Sequence, residues 1–471
     1  MTTSTATFVF HPLFSSLIAV VPQVHAGPSQ LLTALVVSVA VIVVLISWLK
    51  LHPFLALTLG SLVLALGVGT PLQDSFTSFG SGFGSTTTSV GVLIALGAML
   101  GKLLSDSGGT DRIVQTILSH TSPRWLPWAM ALIAFLIGIP LFFEVGLVLL
   151  IPVIILVARR SGQSLIRVGI PALAGLSVLH GLVPPHPGPL IAISALHANL
   201  GLTLALGILI AVPTVIISGP LLSGPMARWV HAEAPAGLVS EFESSSHREH
   251  QPSFVNALTS ILLPVVLMLG KTVADTSLSA GSQLRIALDV LGSPMVALLL
   301  ATLISMFTLG RGAGMSRKEL SSAVGNSLPG IAGILLIVGA GGGFKQTIVD
   351  TGVAQVISQV AQQWSISALL FGWLLAVLIR LATGSATVAT ITASGILAPL
   401  AASLDPVHTA LLVLAVGAGS LFFSHVNDAG FWLVKEYFGM SVGQTLRTWS
   451  VMETVISVIA LIFVLLLGAV L

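Results

Sequence analysis

A chain of 471 residues, 55% of them hydrophobic and only 7% charged, with a mean hydropathy of +1.05, is not built to face water, since soluble domains carry roughly 25% charged residues. The net charge of +2 and the pI near 9.2 rest on few ionisable groups, which argues for basic loops beside a membrane and against a nucleic-acid partner. With no cysteine, disulfides, thiolate metal sites and cysteine catalysis are excluded.

Residues 1–30 read as an N-terminal extension. The stretch 7–24 is moderately apolar but holds His11, Pro12 and Pro22, and Val24-His25-Ala26 resembles a leader-cleavage site with no Lys or Arg before it. A cleaved leader and an extra span both stay open. Beyond it, apolar runs near the ~20 residues that cross a bilayer predict continuous spans at 31–49, 52–70, 86–104, 201–222, 254–270, 292–310, 328–344 and 450–470. Two apolar helices, 165–199 and 407–438, are expected to break near their middles. Two longer stretches, 126–158 and 366–400, read as helical hairpins with tips at FFEVG (142–146) and TGSAT (383–387). Many of the 47 glycines and 24 prolines fall inside these apolar stretches. Irregular backbone at membrane depth survives only where protein buries it or a wet cavity lies beside it.

The hydrophilic stretch 230–252 reads as a cytoplasmic linker that divides the chain into similar halves, 31–229 and 253–471. SDSGGTDRI at 105–113 resembles VDTGVAQVI at 349–357, which sets Asp106 against Asp350, an offset of 244 (350 − 106). His180 and His425 differ by 245 (425 − 180), and Pro152 and Pro399 by 247 (399 − 152). The expected fold is therefore an all-α polytopic membrane protein of two inverted repeats. Each repeat has three spans, a re-entrant helical hairpin, a broken helix and a final span. Of the 18 lysines and arginines, all but Lys271, Arg285, Lys345 and the hairpin's Arg380 then fall on one side. The positive-inside rule makes that side cytoplasmic. Inverted repeats whose broken helices meet at the midplane are the plan of secondary transporters.

Ionisable groups inside spans are expensive and mark functional sites. Glu144, among apolar neighbours in the first tip, is a candidate proton carrier, or else a structural carboxylate at a helix start; Gly146 in the same tip is placed with the substrate-binding residues. In HGLVPPHPGP (180–189), four prolines remove N–H donors, so the backbone unwinds at Pro185; its freed groups with His180 or His186 are candidates to face a polar ligand, or else the helix is only kinked and its histidines are satisfied by neighbours. SHVNDAG (424–430) offers Asn427 to hydroxyls, and Asp428 and His425 to proton coupling. The second tip gives Gly384, Ser385 and Thr387 at a helix start suited to a carboxylate. Arg380 just before it can pair with a substrate carboxylate, with Glu144 or with an interior carbonyl. Gly339 and Gly341–Gly343 read as close helix packing rather than a phosphate loop.

At these motifs the sequence resembles the gluconate permease family, the gluconate:proton symporters of the ion-transporter superfamily. The resemblance is carried by GAMLGKLLSDSGG, LFFEVGLVLLIP, LSVLHGLVPPHPGP, GGGFKQTIVDTGV, RLATGSATVATITASGILAPL and SHVNDAGFWLVKEYFGMSVGQTLRTWSVMET, and runs from about residue 31 to the end. It implies a multi-pass protein of the bacterial inner membrane. The implied activity is symport of gluconate or a related sugar acid with protons, by alternating access, with no cofactor or metal and with a homo-oligomer allowed. Family members differ in substrate, and Phe143 stands where Tyr is common. Sodium-coupled carboxylate transport is the main alternative, since TGSAT would also serve a sodium site. Glu144, Asp428 and the interior histidines favour protons because they titrate. A membrane-embedded metal-dependent hydrolase would need clustered ligands such as H-E-x-x-H, which is absent, and a passive channel would not accumulate substrate.

Overall fold

The computed structural model describes residues 26–233, 250–279, 281–353, 356, 367–426 and 428–471. The expectations for the first 25 residues, for most of the linker and for Asn427 lie outside them. Among the described residues every regular element is a helix, and eight helical stretches are long and apolar enough to cross a bilayer.

The first half opens with α1 (Pro28–Ser47) and α2 (Pro53–Gly67), each with proline in its first turn, where a missing N–H costs nothing. Next comes α3 (Leu72–Asp106), 35 residues long, where a span beginning at 86 was expected. Its N-terminal part is rich in Ser, Thr and Gly, which reads as loop. Its hydroxyls are satisfied within the helix by the carbonyls four residues earlier, as from Ser75 to Pro71 (2.9 Å) and Thr88 to Gly84 (2.8 Å), so they do not draw the backbone out of it. Its glycines also meet a partner helix. After the short α4 (Gly109–Ser119) come α5 (Leu126–Gly138) and α6 (Phe143–Ser161), joined by the turn 139–142. That turn lies a few residues before the expected tip, because Pro140 has no N–H to continue α5. Gly146 is thus inside α6.

The expected break falls between α7 (Leu165–Leu182) and α8 (Pro187–Leu196). The intervening Pro184 and Pro185 cannot donate, and Val183 is extended. Then α9 (Leu200–Ile216) passes through a π segment, Ile217–Leu221, into α10 (Leu222–Trp229).

The second half holds α11 (Phe254–Ser277), α12 (Gln283–Leu291), α13 (Pro294–Ser305), α14 (Arg317–Ser327) and α15 (Ala332–Asp350). A second helix pair, α16 (Ala368–Thr383) and α17 (Ala386–Ala401), precedes the broken α18 (Pro406–Ser420) and α19 (Ala429–Tyr437). The short α20 (Val442–Thr445) and a π segment, Leu446–Ser450, lead into α21 (Val451–Val470).

Two crossings bring backbones together at the centre. A Cβ on Gly82 of α3 would stand 2.2 Å from the Gly342 carbonyl of α15, and one on Gly417 of α18 would stand 2.1 Å from the Gly181 carbonyl of α7. Gly339, Gly341 and Gly343 are likewise buried against Phe83, Ile391 and Phe79, so the glycine run is a packing surface. The α7–α8 stretch is buried almost throughout, whereas α1 presents most of its surface outward. The two broken helices are thereby interior, with their breaks beside the site.

Candidate functional site

The second helix pair turns at Gly384, whose φ of 73° is left-handed and suits glycine alone at no cost. Ser385 then caps α17, its Oγ accepting from the Val388 N–H at 3.3 Å. Arg380, in the last turn of α16, is only 4% exposed. One guanidinium nitrogen donates to the Gly384 carbonyl at 2.6 Å, and the other pairs with Asp428. A buried cation needs such a partner. The same helix end offers it partial negative charge.

Asp428 is the N-cap of α19, with Oδ1 accepting from the Gly430 N–H at 2.9 Å. Its Oδ2 accepts from Arg380 and from the Ser424 hydroxyl. Ser424 in turn accepts from Trp449 Nε1–H at 2.7 Å. Trp449 belongs to the π segment before α21, a distortion that recurs at functional sites. Its ring lies 5.3 Å from that of Phe143, which is 6.3 Å from the His180 ring.

These groups surround a cavity of about 250 Å³. Its wall is made by Phe143, Ser177, His180, Arg380, the tip residues Thr383 to Thr387, Leu421, Asp428 to Gly430, Trp449 and Glu453. Three helix starts contribute to it: Phe143 of α6, Ala386 of α17 and Ala429 of α19. Helix starts carry partial positive charge and favour an anion; at α17 and α19 the caps Ser385 and Asp428 already take one N–H each, whereas the start of α6 has no side-chain cap.

Of the sequence-predicted residues, the structure brings together His180, Arg380, Gly384, Ser385, Thr387 and Asp428 on this wall. Gly146 is not on it; a Cβ there would stand 2.7 Å from the Leu176 side chain, so the position serves helix packing. His186 is buried with Nε2 2.8 Å from the Gly138 carbonyl, tying α8 to the end of α5. Pro185 lies in the break, off the cavity wall, and His425 holds Nδ1 3.1 Å from the Phe423 carbonyl, away from it. Glu144 is the second residue of α6, next to Phe143; its side chain, like Asn427, lies outside the described residues.

Sequence reasoning missed Glu453, Ser177 and Trp449. Glu453 is 1% exposed, hydrogen-bonded by Ser177 and within electrostatic reach of Arg380 and Asp428. It is the sole acid in the apolar stretch 442–471, and that isolation was the signal available.

A polytopic helical membrane protein whose interior cavity gathers an arginine and three helix starts belongs to the class that passes small anions through a bilayer-buried site. The chain is a member of the GntP family of permeases: the GntP family permease model matches residues 30–470. It is 49% identical to a gluconate permease of Pseudomonas aeruginosa over 94% of this chain and 98% of that one. It is 42% identical to the Gnt-II system L-idonate transporter of Escherichia coli, over 92% and 98%. Its fold is similar to that of the YdaH transporter of Alcanivorax borkumensis, with a TM-score of 0.64 at 18% identity, covering 89% of this chain and 98% of that one.

Proposed function

We propose that this chain is a multi-pass protein of the bacterial cytoplasmic membrane that carries gluconate or a related sugar acid inward together with protons. The observation that carries the reading is the cavity itself: a small, polar-lipped chamber where an arginine and three helix starts converge. At about 250 Å³ it lies just below the usual ~300–1,000 Å³ of ligand sites, a size for a short polar solute. The relatives named for gluconate and L-idonate support the substrate class.

In this reading the substrate carboxylate rests on the N–H groups at the start of α17, near Arg380, and its hydroxyls bond Ser385, Thr387 and the backbone after His180. The carboxyls the sequence offers for proton coupling are Asp428, on the cavity wall, and Glu144, next to Phe143 in the chain; Glu453 adds a third on the wall. Asn427, next to Asp428 in the chain, offers its amide to the substrate hydroxyls, while Gly146, Pro185, His186 and His425 shape the segments around the site.

The inverted repeat belongs to the same proposal. α3 and α14 start 245 residues apart (317 − 72), α6 and α17 start 243 apart (386 − 143), and α8 and α19 start 242 apart (429 − 187). Packing repeats too: α5 lies on α7 as α16 lies on α18, and α2 meets α15 as α13 meets α3. Two halves related in this way can exchange conformations, which is what alternating access requires.

The test is labelled gluconate uptake into proteoliposomes under an imposed proton gradient and, separately, an imposed sodium gradient. Accumulation driven by protons alone is the expected result. Accumulation driven by sodium alone would replace the coupling ion, and no uptake under either gradient would overturn the reading.

A further inference from the structure

Two charged side chains on the cavity wall each carry a buried polar atom with no hydrogen-bond partner: Nε of Arg380 and Oε1 of Glu453. Asp428 differs, because both its oxygens are already taken by Arg380, Ser424 and the Gly430 N–H. A proton arriving at Asp428 would have to displace one of those bonds, whereas at Glu453 an oxygen stands open. Buried polar groups are almost always satisfied, so two orphans of complementary type in one cavity mark places that a bound solute and a proton complete.

We propose that Glu453 carries the coupled proton, and that its carboxylate and the substrate carboxylate alternate as the second anion near Arg380. The assignment rests on the sugar-acid symport reading above. Charge balances across the cycle. With no proton on Glu453, the empty site holds Arg380 as a cation with Asp428 and Glu453 as anions, one net negative charge. On loading, a proton from water forms an O–H bond on Oε1, the substrate brings one negative charge, and the net charge is again one negative. The acid form donates to the substrate, while the Ser177 hydroxyl, which can donate or accept, serves Glu453 in both forms. Without the proton, substrate and Glu453 repel across the same cavity, and that repulsion is the coupling.

The charged and titratable neighbours from the elements packed on α21 are few. Arg380 comes from α16, His180 from α7, whose other ionisable residue is Arg167 in its first turn, and Arg447 from the π segment 446–450; Asp428 acts from the cap of α19, while α9 and the π segment 217–221 have none. On α18, His408 sits at the far end, its Nε2 3.2 Å from the Gly468 carbonyl near the other end of α21.

The experiment compares wild type, Glu453→Gln and Glu453→Asp in proteoliposomes, outside acid by about one pH unit, with labelled gluconate. Wild type should accumulate about tenfold. Glu453→Gln should fall to simple equilibration, about a tenfold loss, yet keep gluconate–gluconate counterflow at a rate no longer dependent on pH. Driven accumulation surviving in Glu453→Gln would overturn the proposal. So would loss of both driven uptake and counterflow in a Gln variant that elutes as a folded species, since the group would then be needed for binding alone. Glu453→Asp decides the matter should the Gln variant not fold: a retained but shifted pH profile supports a proton carrier at this position, and an unshifted one refutes it. If wild type itself takes up no gluconate, the substrate reading falls, and this assignment with it.

Discussion

The tip between α16 and α17 and the turn between α5 and α6 both reach the cavity, and their chemistry is opposite. The first brings Arg380, a left-handed Gly384, and the hydroxyls of Thr383, Ser385 and Thr387. The second is apolar from Ile139 to Phe143 and delivers a ring that packs on Trp449 and His180. The charged groups of the cavity, Arg380, Asp428 and Glu453, all come from the second half of the chain, while the described part of the first half supplies shape, a histidine and the Ser177 hydroxyl. An apolar wall facing a charged one is a physical device, since charges act more strongly where water and polarisable groups are excluded on one side. Among the described residues, the charged groups of the cavity are thus gathered on one side of it.

The largest effect is expected from breaking the charged side. Arg380→Ala leaves Asp428 buried without its cation, a loss of about 3–5 kcal/mol by analogy with other buried pairs. It should lower the thermal unfolding temperature in detergent and abolish gluconate uptake. Arg380→Lys keeps the charge but not the planar fork that reaches Gly384 and Asp428 together, so it should recover stability more than transport. Equal recovery of both would mean that the arginine only braces the tip.

A smaller effect is expected where the two sides are tied to each other. Trp449→Phe keeps a ring beside Phe143 but deletes the N–H that bonds Ser424, itself a donor to Asp428. The cost should be about 1 kcal/mol, with KM for gluconate raised a few-fold and maximal rate little changed. A fall in maximal rate with KM unchanged would place Trp449 in the conformational step instead.

The sequence made much of this legible because the governing forces are local. Apolar length marked the spans, consecutive prolines at 184 and 185 marked the break after α7, and Gly384 beside Ser385 marked the second tip. Arg380 and Asp428 were visible as charges in apolar surroundings, but not as each other's partners, because that pairing joins residues 48 positions apart across two helices. The start of α3 was unreadable for a related reason: Ser, Thr and Gly read as loop unless a second glycine face is there to receive them, and Gly342 is some 260 residues away (342 − 82). Gly146 misled in the other direction, since a glycine near an acid in an apolar run suggests a ligand when Leu176 is what it accommodates. Glu453 has only hydroxyl residues near it in sequence, Ser450, Thr454 and Ser457, and no second ionisable group to form a motif, so its being the sole acid in an apolar stretch was the clue.

The finest comparison lies at the starts of the two helices that break at the cavity. α7 is capped by Ser164, whose hydroxyl accepts from the Arg167 N–H at 3.2 Å. α18 is capped by Asp405, whose Oδ1 accepts from Val407 and His408 N–H at 2.9 and 3.1 Å, with His408 Nδ1 2.6 Å from the other oxygen. The His408 backbone N–H holds the Asp405 carboxyl below the usual carboxylate range. A group whose folded-state pKa is lowered stabilises above its unfolded value and loses that contribution as pH falls through the folded one. Asp405→Asn should therefore lower the unfolding temperature near neutrality, and the deficit should close in acid. Ser164→Ala, costing about 1 kcal/mol, should show a deficit that does not change with pH. Neither should alter gluconate uptake, because both caps stand at the ends of their helices away from the cavity. A pH-independent deficit in Asp405→Asn would mean that the cap works through its shape, as the serine does, and that the electrostatic difference between the halves is confined to the cavity itself.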